Sequence, residues 1–355
     1  MPLDVEKLIA AFREPGIVEL IVNADGSVYA ERDKGGLGIL PFKAGNEDVL
    51  AFINALTGDV ETFGPQRPYA DLTALDGSRI HVIGPPLVRG GHCVTIRKRP
   101  EARMGLDAMV QGGCLTPGCA GFLKYCVEKR KNILFVGGTS SGKTSMLCAL
   151  GSLIDARERI LVLEDTPEIA LPQPHVAHLR TRMRDTTGLP DVTLRDLLVN
   201  TLRMRPDRII VGEVRGPEAA DLLEAMNVGK EGVLCTMHAN SAREALQRLE
   251  TLVLLSGNNL PLKAVRTNIA LAIDIVVFLA RFADGVRRVA QVAEVTGMEG
   301  ETITLSDLYA ADTRKSGTGL AVELRPTGGV PKFYDLLRRQ GVEPPMEFFK
   351  KDLPA

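Results

Sequence analysis

Residues 137–144 read Gly137-Gly138-Thr139-Ser140-Ser141-Gly142-Lys143-Thr144, and no other stretch constrains the fold as tightly. This is a complete G-x-x-x-x-G-K-T run, with the apolar segment Ile133–Val136 before it and the helix-forming segment Met146–Leu153 behind it. Such a loop works where a buried strand hands over to a helix. Its backbone N–H groups then wrap phosphate oxygens, and the helix N-terminus favours their negative charge. The expected ligands are ATP and Mg2+, bound by Gly137, Gly138, Thr139, Ser140, Ser141, Gly142, Lys143, Thr144 and Ser145. Lys143 is expected to reach the β- and γ-phosphates, and the Thr144 hydroxyl to hold the metal.

The rest of that half of the chain repeats one rhythm. Apolar runs at Ile133–Val136, Ile160–Leu163, Ile209–Val211 and Val233–Met237 are each expected to lead into a helix, which implies a parallel α/β sheet with right-handed crossovers. Pro217 and a Ser241/Glu244 capping box are read as helix starts. Ligands of such sheets bind at the carboxyl ends of the strands, so the residues just past each run matter. The run Arg208–Val211 ends in Gly212-Glu213 with no metal-side Asp, which leaves Glu213 to polarise a water. Carboxylate near magnesium must then come from Glu164, Asp165 or Glu168. The last run leads into His238, which with Thr236 is expected to sense the γ-phosphate or the attacking water. Arg180, Arg182, Arg184, Arg203, Arg205, Arg208 and Arg215 crowd the same half, and a guanidinium from a neighbouring subunit can stabilise a transferring phosphoryl group. The competing reading is structural: acids capping helices, a packed histidine, and arginines in surface pairs.

At 355 residues the chain is expected to form about two domains. Residues 17–99 alternate short β-like runs with turns at Asp25-Gly26, Gly35-Gly36 and Asp76-Gly77, interrupted by one helix with Asn46 as N-cap and its end near Gly58. Arg97–Arg103 reads as a linker, giving an α+β domain over 1–104 and an α/β domain over 105–355. Beyond it a helix near Lys263–Ile269 precedes a hairpin turning at Asp284-Gly285 and a polar tail. The 43 basic and 44 acidic residues leave a net charge of -1, and there is no Trp, so neither a long-range field nor stacking platforms favour nucleic acid. No apolar run is long enough for a membrane span, and Met1-Pro2-Leu3-Asp4 lacks a signal-peptide pattern, so a cytoplasmic protein is expected. The six cysteines form no Cys-x-x-Cys pair, and Cys114, Cys119 and Cys126 lack a fourth ligand, so reduced thiols and no zinc are expected.

Four boxes together resemble a known family. They are the loop 137–144, Leu163-Glu164-Asp165-Thr166-Pro167-Glu168, Leu202–Gly216 and Thr236-Met237-His238-Ala239-Asn240-Ser241. In order and spacing they are similar to the Walker A, acidic, Walker B and histidine boxes of bacterial type II/type IV secretion and pilus-assembly ATPases. Val18–Asn23, Asp76–Arg79, Ile96-Arg97-Lys98 and Pro331-x-Phe333 resemble the tight-adherence (CpaF/TadA) branch. The resemblance implies a RecA-like P-loop domain behind a smaller α+β domain, with nucleotide held between them, in a homohexameric ring docked on an inner-membrane platform protein. It implies that Lys143 and Thr144 hold phosphate and metal, Glu213 is the catalytic base, Glu164 assists metal and water, His238 is the histidine-box residue and Arg203 is an arginine finger. The implied function is a Mg-dependent ATPase motor for pilus assembly or protein secretion. A nucleotide-gated scaffold and a nucleic-acid-dependent RecA-like motor are the alternatives. Ser140 stands where relatives often carry Gly, Gly229-Lys230-Glu231-Gly232 replaces Gly-His-Asp-Gly, and the four-cysteine zinc insertion of type II relatives is missing.

Overall fold

The computed structural model describes residues 3–32, 36–58, 63, 68–98, 104–182, 189–229, 231–316 and 319–350. It separates into two units, one made of residues 1–102 with 166–168 and 183–190, the other of the remainder. Gly35, Arg184, Lys230 and residues 99–103 of the expected linker lie outside the described residues.

The first unit runs α1 (Leu3–Arg13), β1 (Ile17–Val22), β2 (Ser27–Arg32), β3 (Gly36–Lys43), α2 (Asn46–Thr57), β4 (Tyr69–Thr73), β5 (Arg79–Ile83) and β6 (Cys93–Arg97). All its strand pairs are antiparallel, in the order β3-β2-β1-β6-β5-β4. Val5, Leu8 and Phe12 of α1 and Val49, Phe52 and Ile53 of α2 form one core with the inward residues of the strands, among them Leu20, Val28, Val82 and Ile96. The turns close as their Asp residues direct: Asp25 and Asp76 each accept the N–H two residues on, from Ser27 (3.0 Å) and Ser78 (2.8 Å). The N-cap of α2 corrects the expectation. Gly45 occupies that position without a side-chain bond, while Asn46 is the first helical residue and its Oδ1 accepts the His92 N–H at 3.1 Å. A partner distant in sequence has claimed the oxygen that a local cap would use. Gly58 ends the helix as expected, in the left-handed region at φ +73°. Helix α1 and strands β3 and β4 were not anticipated.

The second unit continues with α3 (Leu106–Gln111), α4 (Pro117–Glu128), β7 (Ile133–Gly137), α5 (Lys143–Gly151), β8 (Ile160–Glu164), β9 (Val176–Arg180), α6 (Leu194–Thr201), β10 (Arg208–Val211), α7 (Glu218–Asn227), β11 (Leu234–Met237), α8 (Ala242–Leu255), α9 (Leu262–Ala272), β12 (Ile275–Arg281), β13 (Arg287–Glu299), β14 (Thr302–Ser316), β15 (Gly319–Pro326) and α10 (Phe333–Arg339). Nine strands form one sheet in the order β15-β14-β13-β12-β7-β11-β10-β8-β9. Strands β12 through β9 in that order pair in parallel and the rest antiparallel. Every residue of β7, β8, β10 and β11 is buried, because one core lies on each face of the sheet; hence the unbroken apolar runs. The α/β architecture read from the sequence holds.

Three local expectations are revised. Strand β8 is followed by another strand, β9, before α6. The polar tail instead extends the sheet through β14 and β15, and it closes on a buried aromatic cluster of Phe122, Tyr309, Phe333, Tyr334 and Phe349. At α8, Ser241 caps the Glu244 N–H (3.1 Å), but the Glu244 carboxylate returns to the backbone N–H of Asn240 (3.1 Å), one residue before the box position. Among the described residues no helix is long and apolar enough to cross a membrane, and Cys119, Cys126, Cys148 and Cys235 are buried free thiols.

Candidate functional site

Parallel pairing sets the strand ends side by side. Val136 of β7 lies opposite Met237 of β11, Cys235 of β11 opposite Val211 of β10, and Val211 opposite Leu163 of β8. The residues that follow are therefore neighbours along one edge: Gly137, His238, Glu213 and Glu164.

The loop between β7 and α5 is built on backbone conformations that few residues accept. Gly142, the N-cap of α5, has φ +98° and Ser140 has φ +57°. A Cβ on Gly137 would lie 2.3 Å from the Leu279 carbonyl oxygen and 2.4 Å from Ser141 Oγ, so only glycine fits there. Gly138, Thr139, Ser140 and Ser145 are exposed and Thr144 is half-buried. Ser141 Oγ is buried without a hydrogen-bond partner among the described residues, an oriented hydroxyl beside a helix N-terminus whose first N–H groups have no intrahelical acceptor. The Lys143 side chain is buried, and its ammonium donates to the carbonyls of Gly137 (3.1 Å) and Gly138 (2.8 Å).

The same ammonium lies 3.5 Å from His238 Nδ1, and His238 Nε2 lies 2.7 Å from Glu213 Oε1. An ammonium can only donate, so the geometry makes Nδ1 the acceptor and puts the imidazole proton on Nε2, pointing at the carboxylate. Lys143, His238 and Glu213 thus form one connected chain. The backbone carrying Glu213 is pinned from both neighbouring strands: Gly212 N–H donates to the Leu163 carbonyl (2.8 Å), Val214 N–H to the Thr236 carbonyl (2.8 Å), and the Thr236 hydroxyl to the Gly212 carbonyl (2.5 Å). Thr236, expected to face the γ-phosphate or the attacking water, is buried and its hydroxyl is spent on that backbone.

Glu164 is buried beside Gly212, and its Oε1 accepts the Ile169 N–H at 2.7 Å. Asp165 accepts the Thr181 hydroxyl (2.9 Å) and pairs with Arg215. Glu168, which clusters with the first unit, pairs with Arg79 of that unit at 3.0 Å. Arg208 is buried at the opposite end of β10, bound to Glu158 (2.8 Å) and to the Val127 carbonyl (2.8 Å), which makes it a structural bolt. Arg203 and Arg205 are exposed on the turn after α6 and have no ion pair among the described residues; nothing joins Arg203 to the Lys143–His238–Glu213 chain. Magnesium keeps several waters and takes hard oxygen from one or two side chains plus phosphates, and the Thr144 hydroxyl with the Glu164 carboxylate supplies oxygen of that kind. Sequence reasoning missed Glu218, whose carboxylate turns back onto the Arg215–Gly216 backbone; an acid after Pro217 was the only signal, and it read as an ordinary first-turn residue.

The sequence model of the family described as "Type II/IV secretion system protein" matches residues 76–306. A Mycobacterium tuberculosis protein named for conjugal transfer is 35% identical over 315 residues, covering 86% of this chain and 88% of its own. The type IV secretion system protein PtlH of Bordetella pertussis is 33% identical over 300 residues, covering 77% and 88%. Among solved structures, the pilus retraction motor PilT with bound ADP superposes with a TM-score of 0.59 at 18% identity, over 95% of this chain and 86% of that one, a likeness of fold.

Proposed function

The chain belongs to the type II/IV secretion system protein family and is an ATP-hydrolysing motor protein of secretion or pilus function, and we propose how its residues divide that work. The observation that carries the reading is the unbroken contact from Lys143 through His238 to Glu213 at the end of a phosphate-binding loop. Lys143 exchanges the Gly137 and Gly138 carbonyls for β- and γ-phosphate oxygens, and the loop N–H groups from Gly138 to Ser145 hold the remaining oxygens. Glu213 is the general base. His238 Nε2–H holds Oε1 of its carboxylate, which leaves Oε2 to accept a proton from water. The water oxygen attacks the γ-phosphorus in line, the bond to the β,γ-bridging oxygen breaks with its electron pair going to ADP, and the proton passes to Glu213. Thr144 would hold Mg2+, with Glu164 as the nearby carboxylate, and the ion would offset charge on the phosphates. Arg203, exposed and unpaired among the described residues, is available to a neighbouring subunit as an arginine finger.

We further propose a homohexamer with a domain boundary near residue 105, working at the cytoplasmic face of the inner membrane on a platform protein. The motifs Val18–Asn23, Asp76–Arg79, Ile96–Lys98 and Pro331-x-Phe333 favour the tight-adherence pilus branch within the family. The test is phosphate release by the purified full chain with Mg-ATP, alongside native mass with a non-hydrolysable ATP analogue. Turnover and a sixfold mass are expected. Nucleotide binding without turnover at any concentration would convert the protein into a gated scaffold, and a persistent monomer would remove the trans-acting arginine.

A further inference from the structure

Glu218 opens α7, where any exposed acid would suit the helix dipole. Its side chain does something else. It is 6% exposed, and a single oxygen, Oε1, accepts the backbone N–H groups of both Arg215 and Gly216, each at 2.8 Å. A Cβ on Gly216 would lie 2.8 Å from Glu218 Oε2, so a side chain there would have to push the carboxylate aside. Buried charge-assisted bonds of this kind are strong and fix backbone direction. The segment carrying Glu213 is therefore fastened on both flanks: Thr236 holds Gly212 and Val214, and Glu218 holds Arg215 and Gly216.

From this arrangement we infer that Glu218 is a positioning residue for hydrolysis, acting through the 212–216 backbone to keep the Glu213 carboxylate on His238 Nε2. Its assigned role runs through that backbone. The inference rests on Glu213 being the base, as proposed above. It has a chemical signature: because one carboxylate oxygen takes both bonds, a glutamine can still accept them, whereas an alanine cannot.

The experiment compares steady-state ATP hydrolysis by the full chain for wild type, Glu218→Gln, Glu218→Ala and Gly216→Ala, with thermal unfolding on the same samples. Misplacing a reacting group by an ångström or less costs on the order of 10- to 100-fold in rate, so Glu218→Ala is expected to lose about that much kcat with KM for ATP within about twofold. Glu218→Gln should keep kcat within about twofold of wild type, since the acceptor survives. Gly216→Ala displaces the carboxylate without removing it and should lower kcat in the same way; it decides the matter if Glu218→Ala does not fold. Wild-type kcat in both alanine variants, or a glutamine variant as slow as Glu218→Ala, would overturn the inference. An inactive wild type would instead sink the assignment of the site itself.

Discussion

The loop proposed to bind phosphate contains a built-in strain that one substitution should relieve. Ser140 is exposed, so changing it removes no packing, and its φ of +57° lies in the left-handed region. An L-residue there costs about 1–2 kcal/mol that glycine avoids. Glycine returns about 0.5–1 kcal/mol of that through the greater freedom of its unfolded chain. Ser140→Gly should therefore stabilise by up to about 1.5 kcal/mol, which for a domain of roughly 250 residues raises the unfolding midpoint by up to about 6 °C. Two neighbours calibrate the reasoning. At Gly142 (φ +98°) a Cβ meets nothing nearer than Arg287 Cδ at 3.8 Å, so Gly142→Ala suffers backbone strain alone and should lower stability by a similar amount. Gly137→Ala drives a Cβ to 2.3 Å from a backbone carbonyl and should cost more than either. Scanning calorimetry of the full chain in fixed buffer measures all three. A midpoint that falls on Ser140→Gly, or rises on Gly142→Ala, would refute the argument.

Glu158→Gln leaves the buried Arg208 guanidinium without its counter-charge and should cost about 3–5 kcal/mol, read as a lowered urea midpoint. Burial raises the pKa of Glu294, whose carboxylate holds the Lys332 N–H at 2.9 Å. The folded state then binds a proton that the unfolded chain releases earlier, so stability falls as pH rises from the ordinary carboxylate range through the raised value; Glu294→Gln should flatten that part of the stability–pH curve. Burial likewise pushes up the thiols of Cys119, Cys126 and, to about 12, Cys235. Burial also raises the thiol of half-buried Cys114, so iodoacetamide followed by peptide mass spectrometry should label Cys93 first in the native protein, Cys114 more slowly, and the other four only after denaturation.

What could be read from the sequence follows from how each part is stabilised. Strands β7, β8, β10 and β11 are buried on both faces, so they stand out as apolar runs, and the residues just past them mark the site edge without any knowledge of pairing. Parallel pairing then brings His238 to Glu213 and Lys143, residues up to 95 positions apart in sequence. Partners chosen across long distances were not legible. Asn46 looked like a helix cap because nothing local showed that His92 would take its oxygen. Glu244 and Glu218 bind backbone close by in sequence, but Glu244 at Asn240 and Glu218 at Arg215 and Gly216, positions that the reading of Ser241 and Pro217 as helix starts did not single out. Strand β14 was missed because Thr302–Ser316 mixes polar and apolar residues; its partner β13 was read as the second arm of the hairpin, but its other partner β15 was not read at all. Thr236 was read for its position at a strand end, while the structure shows its hydroxyl satisfied by Gly212.

The decisive measurement is on Glu213→Gln, a change that keeps the shape of the side chain and its contact with His238 but removes the basic carboxylate. A single preparation should be titrated with a fluorescent ATP analogue and assayed for phosphate release with Mg-ATP. Nucleotide affinity within about twofold of wild type, with turnover reduced by at least 100-fold, is the result expected if this carboxylate takes the proton from water. Undiminished phosphate release by that variant would show that the base lies elsewhere and that the Lys143–His238–Glu213 chain is not the catalytic centre.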